Sequence, residues 1–523
     1  MDVKILEEAG YKHALYGISL SYNKDIENME KVSKSLCKLD GGHNKFLESI
    51  VVWLEINAAR YWWQEFDTYR VGITKQSECF DDKTEILTLD GWKYFKNLKN
   101  EDLFCTMNIK NRNIEYQKAT NYIENDFNGE VLSINGKSID LIVTKNHNMV
   151  IKCRRSENLR IIPADKFTHS HGIPKKAIWK GKEVSEFILP MVQKETKYST
   201  FYPEKKINMD LWLKFFGFWL AEGCVFCNRN KKNYISSACQ VEDSKYIPEI
   251  DAIFDELPFK VYRYVEKRKD KKSIIVWKIS NKQLYFYLLE YKGALNKYIN
   301  KDLLTLSKRQ LNILEKWLMV GDGCVTFKHY IYISISKKLI DTVQELWLKL
   351  GYSSSIRIHR EAQNNCKRVY SIARHRTSYA YALKNNIKKV NYKGKIYCVE
   401  VPNHIILARR NGKIVWTGNS TIHTLLKSRL TQNNFESDIP EKFLNYLNTI
   451  ITNYHNSKNK NKAEFTKEIK NILPEGFLQR RIVCTNYKVL KNMINQRKNH
   501  TLGGWKMFIN HLKNNLEHSD LIF

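Results

Sequence analysis

Residues 209–221 (MDLWLKFFGFWLA) and 307–320 (SKRQLNILEKWLMV) carry apolar side chains at helical spacing, and each stretch leads into an acidic residue and a glycine. A similar series of strand-like and helix-like segments follows each, about 100 residues apart, which makes a degenerate internal repeat. On either side of this repeat the pattern changes. Residues 79–195 hold short alternating runs such as EILTL, EVLSI and DLIVT between DG, NG and charged turns, and strand-like runs resume after 390 in KIYCVEV, HIILARR and KIVWTG. Outside these, KDIENMEKVSKSLCKL and HNKFLESIVVWLEINAARYWWQEF near the start, and PEKFLNYLNTIITNYHN and TNYKVLKNMINQRKN near the end, read as helices. The order helical, β, mixed, β, helical predicts nested insertion rather than tandem domains.

At 523 residues the chain has room for two to four domains. An apolar content of 43% with 12% aromatics is globular, and no run approaches the roughly 20 uninterrupted apolar residues of a membrane span. The first residues, MDVKILEEAGYKHALYG, show no signal-peptide pattern, so an intracellular location without membrane attachment is expected. Eleven cysteines without a spacing framework predict reduced thiols. The net charge of +31 favours a polyanionic partner. Residues 1–78 carry roughly −2 and 420–523 roughly +8, leaving about +25 for the middle segment. The nucleic-acid signal therefore belongs to the insert.

A segment that cuts itself out of a chain needs a nucleophile at its first residue, a side-chain amide at its last and another nucleophile just beyond. Cys79, Asn419 and Ser420 supply these at the composition boundaries. Taken singly each has an ordinary explanation: a buried small hydrophobe, or a turn. In register they bracket the whole β-and-mixed region.

Here the chain resembles inteins. CFDDKTEILTLDGWKYFKNL is similar to the family's first block, VTKNHNMVI with Thr144 and His147 to its second, and KIYCVEVPNHIILARRNGKIVWTGNS to its closing blocks. The resemblance implies a β-rich Hedgehog/intein horseshoe from residues 79–195 and 388–419. It also implies roles: Cys79 as acyl acceptor, Thr144 and His147 polarising the first scissile peptide, Asn419 cyclising and Ser420 receiving the acyl group, with no cofactor. Gly418 stands where histidine is usual, so help for cyclisation falls to His404. Cys398 replaces the usual aspartate of its block, either orienting the thioester intermediate less acidically or acting as a weak proton donor.

FFGFWLAEG and EKWLMVGDG resemble the LAGLIDADG motif of homing endonucleases. The resemblance implies a pseudo-symmetric αββαββα nuclease over residues 196–387. Its two motif helices would pack together, bringing Glu222 and Asp322 to one end as Mg²⁺ ligands for hydrolysis of double-stranded DNA. Lys297 in LNKYINKDLLTL fits the family's catalytic lysine, with Asn300 in place of a proline, or is a surface lysine. The basic alternating runs KVYRYVEKRKDKKSIIVWKI and SSSIRIHREAQNNCKRVYSIARHR are either DNA-facing strands or solvated charge.

The two flanks, 1–78 and 420–523, resemble flavin-dependent thymidylate synthases through ILPEGFLQRRIVCTNYKVLKNMINQRKNH, with an eroded arginine signature around Arg70. This implies a mainly helical α/β host domain formed from both ends, a homo-oligomer binding FAD and dUMP. Arg60, Arg70, Asn486 and Arg497 are then the candidate ligand contacts. Two other readings stay open: a DNA- or RNA-binding module or maturase without splicing, and a host enzyme with an inert insertion.

Overall fold

The two central strands of one sheet come from opposite ends of the chain: Val51–Ala59 pairs antiparallel with Leu478–Asn486, from Val51 opposite Asn486 to Ala59 opposite Leu478. Asp2–Ala9 and Thr74–Lys75 complete the sheet at its edges. Below it, Trp62, Trp63 and Phe66 pack with Trp505 and Phe508 in a shared aromatic core. The structure, a computed structural model, describes every residue except 40, 70–73, 76–78, 155, 157, 195–199, 229–232, 327–329, 364–365, 419–428, 457–464, 466–467 and 470. It divides into two compact units, Met1–Glu78 with Thr421–Phe523, and Cys79–Ser420.

The flanking unit corrects one expectation. Helical spacing predicts a continuous helix through HNKFLESIVVWLEINAARYWWQEF, whereas Val51–Ala59 is a strand and only Arg60–Phe66 is α-helical. Val52, Leu54, Ile56 and Ala58 are all fully buried, a period of two that serves a sheet. The pairing partner lies more than 400 residues away, so local spacing could not reveal it.

Within Cys79–Ser420, Phe80–Asp81, Asn121–Gly136, Ile139–Thr144 and Ile387–Glu400 close into a barrel. Strands of this β-rich part also join a ten-stranded sheet. There Ser355 pairs with Lys413, making one hydrogen-bonded surface with strands of the second repeat. Arg409, 1% exposed, binds Glu85 on one side and Asp341 on the other, so a buried ion pair crosses the same seam. Arg410 similarly holds Asp81 and Asp140.

The repeat itself runs helix Met209–Glu222, strands Gly223–Asn228 and Asn233–Val241, helix Ile247–Glu256, strands Val261–Arg268 and Lys271–Ser280, then helix Lys282–Leu288. Its second copy runs Lys308–Asp322, Gly323–Val325, Tyr330–Ser334, Lys337–Lys349, Ser353–Arg360 and Val369–His375. Both motif helices start at a side-chain cap: Asn208 accepts from the Leu211 amide, and Ser307 from that of Gln310. They pack face to face because glycine removes the side chain where they meet. A Cβ on Gly217 would lie 2.8 Å from Leu314 O, and one on Gly321 only 2.3 Å from Ala221 Cβ.

Candidate functional site

The close approach of the motif helices sets their last residues, Glu222 and Asp322, side by side. Burial pushes the Glu222 carboxyl up to about 7, with the Asp322 charge adding to the rise and Lys297 opposing it. Asp322 is also raised by burial, while Lys297 and Tyr332 favour its charged form. Lys297, 7% exposed, donates from Nζ to the carbonyls of Gly223 at 2.8 Å, Ala221 at 3.3 Å and Trp219 at 3.4 Å. A cation there caps the negative end of the first motif helix. Burial lowers its pKa to about 8, against the pull of the neighbouring acids. Lys297 is therefore an interior group at the carboxylate pair, not a surface lysine.

Two neighbouring carboxylates that repel one another suit a divalent cation, which removes the repulsion. Among the described residues no cluster of three or more His, Cys, Asp and Glu side chains could hold a metal. Water and phosphate oxygens would have to complete the coordination, as Mg²⁺ prefers. Cys224 and Cys227 lie three residues apart on one strand and so point to opposite faces.

Two hairpins beyond the motif helices carry the basic runs. Val261–Arg268 is exposed along nearly its whole length, with Arg263 between Tyr262 and Tyr264, and Lys267 and Arg268 at its end. Lys278 on the paired strand lies over the Tyr264 ring at 4.5 Å. In the second repeat the outer half of Ser353–Arg360 exposes Arg357, His359 and Arg360.

A second cluster lies at the ends of the Cys79–Ser420 unit. The Cys79 amide donates to Thr144 Oγ1 at 3.0 Å, and the Thr144 amide donates to Cys79 O at 3.1 Å. His147, wholly buried, has its Nε2 2.9 Å from Thr417 Oγ1 and takes the Phe80 ring against it. Cys398 packs with Cys79 and Ile396 in one small buried group. His404 holds a left-handed backbone, φ 54°, beside buried Glu400, and Ile405 next to it pairs with Gly418. A Cβ on Gly418 would lie 2.3 Å from the backbone oxygen of Asn148, so a histidine does not fit there. Asn419 and Ser420 lie outside the described residues.

In the flanking unit, Arg497 binds Tyr69 Oη at 2.9 Å and Glu65 at 3.2 Å, and Arg60 binds Leu473 O and Glu475. Asn486 caps the helix Tyr487–Arg497 by accepting from the Val489 amide. These three side chains are thus occupied within the protein. Arg70 lies outside the described residues.

Sequence reasoning missed Thr417 and Tyr332. Thr417 stands two places before Asn419 in KIVWTGN, a position that could have been read as part of the junction. Tyr332 looks like an ordinary strand residue, and only pairing with Gly323 carries it to Asp322.

Residues 317–388 match the family profile of the LAGLIDADG-like domain. The chain thus contains a domain of that class over its second motif, while the stretch with Glu222 lies outside the match. Among curated proteins, the chain is similar to the DNA-directed RNA polymerase subunit beta C-terminal section of Stigeoclonium helveticum, 27% identical over 405 residues, covering 66% of this chain and 37% of that protein. It is similar to the ATP-dependent Clp protease proteolytic subunit of Chlamydomonas moewusii, 23% identical over 474 residues and covering 66% and 46%. It also resembles the ribonucleoside-diphosphate reductase subunit beta of Aquifex aeolicus (strain VF5), 24% identical over 410 residues and covering 73% and 55%. The chain spans about half or less of the length of these relatives.

Among solved structures, I-DmoI in complex with DNA and Mn aligns at TM-score 0.26 and 17% identity, over 32% of this chain and 90% of that one. I-WcaI bound to its DNA recognition sequence aligns at 0.23 and 18%, over 32% and 76%. A splice-inactive variant of the AceL NrdHF class 3 split intein aligns at 0.17 and 16%, over 25% and 76%. No helix among the described residues is long and apolar enough to cross a membrane.

Proposed function

We propose that residues 79–419 are a self-splicing insert carrying a LAGLIDADG-type endonuclease that cuts double-stranded DNA. The observation that carries the reading is the cluster joining both ends of the insert: Thr144 binds Cys79 at the first residue, and His147 in the same segment binds Thr417 near the last. Residues 79–195 and 388–419 form the splicing part in this reading, and 196–387 the nuclease.

In the splicing part the Cys79 thiol attacks the carbonyl of Glu78, and His147 gives a proton to the departing amide nitrogen. Ser420 Oγ takes the acyl group, Asn419 cyclises and breaks the last peptide bond, and the ester rearranges to an amide joining Glu78 to Ser420. His404 assists cyclisation, because the space beside Gly418 admits no side chain. Cys398, packed with Cys79, keeps the nucleophile in a dry pocket.

In the nuclease part Glu222 and Asp322 would hold a divalent metal, which would supply Lewis-acid stabilisation of the attacking and leaving oxygens. Lys297 fixes the end of the first motif helix and offsets charge on the phosphate in flight. The basic hairpins hold the duplex. Similarity to three proteins of unrelated named activity supports a segment independent of any one host. The 66% share matched in two of them is close to the size of the Cys79–Ser420 unit.

For the flanks, the shared sheet supports one host domain completed by both ends. A thymidylate synthase-like nucleotide protein binding FAD and dUMP is the proposal, tested by flavin absorbance of the purified joined product. For the insert, expression of the whole chain should yield joined flanks and free insert on a gel. Cys79→Ala with Asn419→Ala should abolish both products. A full-length chain persisting in the unmutated protein contradicts splicing and favours an inert insertion.

A further inference from the structure

The two halves of the carboxylate site are not alike. Opposite Gly323, which follows Asp322, the neighbouring strand places Tyr332. The matching position of the first repeat, opposite Gly223, is Ala238. Tyr332 has no solvent exposure, and its hydroxyl makes no hydrogen bond of full geometry. Its charged neighbours are the carboxylates of Asp322 and Glu222. A buried phenol left unsatisfied is costly, and phenylalanine would fill the same space without that cost. The hydroxyl thus points to a role in the site rather than in packing.

We propose that Tyr332 is a positioning residue of the nuclease centre: its hydroxyl donates to Asp322 and fixes which carboxylate oxygen is offered to a divalent cation. The assignment rests on the nuclease reading above. It gives each acid its own support: Lys297 anchors the helix end that bears Glu222, and Tyr332 stands across from the residue that follows Asp322. A fixed donor on a carboxylate ligand holds its orientation toward a cation, as outer partners of metal ligands do.

The test is calorimetric titration of the full chain with Mn²⁺ alone, comparing wild type, Tyr332→Phe and Tyr332→His. Loss of an outer partner of a metal ligand weakens binding by about tenfold or more, and Tyr332→Phe should show that weakening. Its metal-free thermal midpoint should not fall below the wild-type value, and its metal-free retention of DNA should stay at the wild-type level. Tyr332→His, which keeps a donor, should recover part of the affinity. Wild-type affinity in Tyr332→Phe, or equal weakening in both variants, overturns the assignment. Wild-type protein that takes up no Mn²⁺ overturns the nuclease reading and this proposal with it.

Discussion

Glu222 carries a pH signature of its own. Its folded-state pKa, near 7, lies above the ordinary value near 4.5, because burial and Asp322 both disfavour the charge. The folded protein therefore keeps this proton longer than the unfolded chain does, and stability falls as pH rises from about 4.5 through 7. Thermal midpoints of metal-free protein should decline over that window, and Glu222→Gln should flatten the decline. Mn²⁺ binding should release protons below pH 7, measurable as a buffer-dependent binding enthalpy. A second residue-scale outcome concerns Gly418. If the proposed splicing holds, placing the histidine usual in inteins at this position by Gly418→His should slow it rather than speed it, because the added Cβ meets the Asn148 backbone; a gel time course reads this. Cys79, His147, Glu222 and Asp322 could be singled out in the sequence because each stands at a fixed offset inside a motif. Tyr332 was not, since its partner depends on a strand register rather than a spacing.

At the scale of elements, the motif helices were readable from their apolar period, and the structure adds their caps, with Ser307 just outside its helix rather than its first residue. Their separation rests on small residues. Gly321→Val should force the helices apart at Ala221 and destabilise the insert by about 1–3 kcal/mol, as overpacking does. Chemical denaturation measures the loss, and DNA cutting should fall with it. The strand Val51–Ala59 shows where reading by period fails. VVWLEINAA places apolar groups at spacings that suit either a helix or a strand, and the choice is made by Leu478–Asn486 from the far end of the chain. Splitting a sheet across an insertion hides the very partner that decides its strands.

At the scale of the molecule, the nested order was legible in the charge and periodicity shifts, but the seams were not. Arg409 reads as one more basic residue in HIILARR, yet it lies buried between Glu85 and Asp341 and ties the β-rich part to the second repeat. Arg409→Ala would remove the buried cation between Glu85 and Asp341, leaving Lys337 as the remaining partner of Asp341. It should cost about 3–5 kcal/mol by denaturant titration, more than an exposed arginine in the basic hairpins costs. The central claim is that one set of side chains joins residue 78 to residue 420 and releases what lies between. Tandem mass spectrometry of the expressed protein, after proteolysis, tests it most directly. The account predicts a peptide in which Glu78 is bonded to Ser420, reading QSESTIHTLLK, together with an insert that begins at Cys79. Recovery of only the uninterrupted Glu78–Cys79 and Asn419–Ser420 junctions would contradict it.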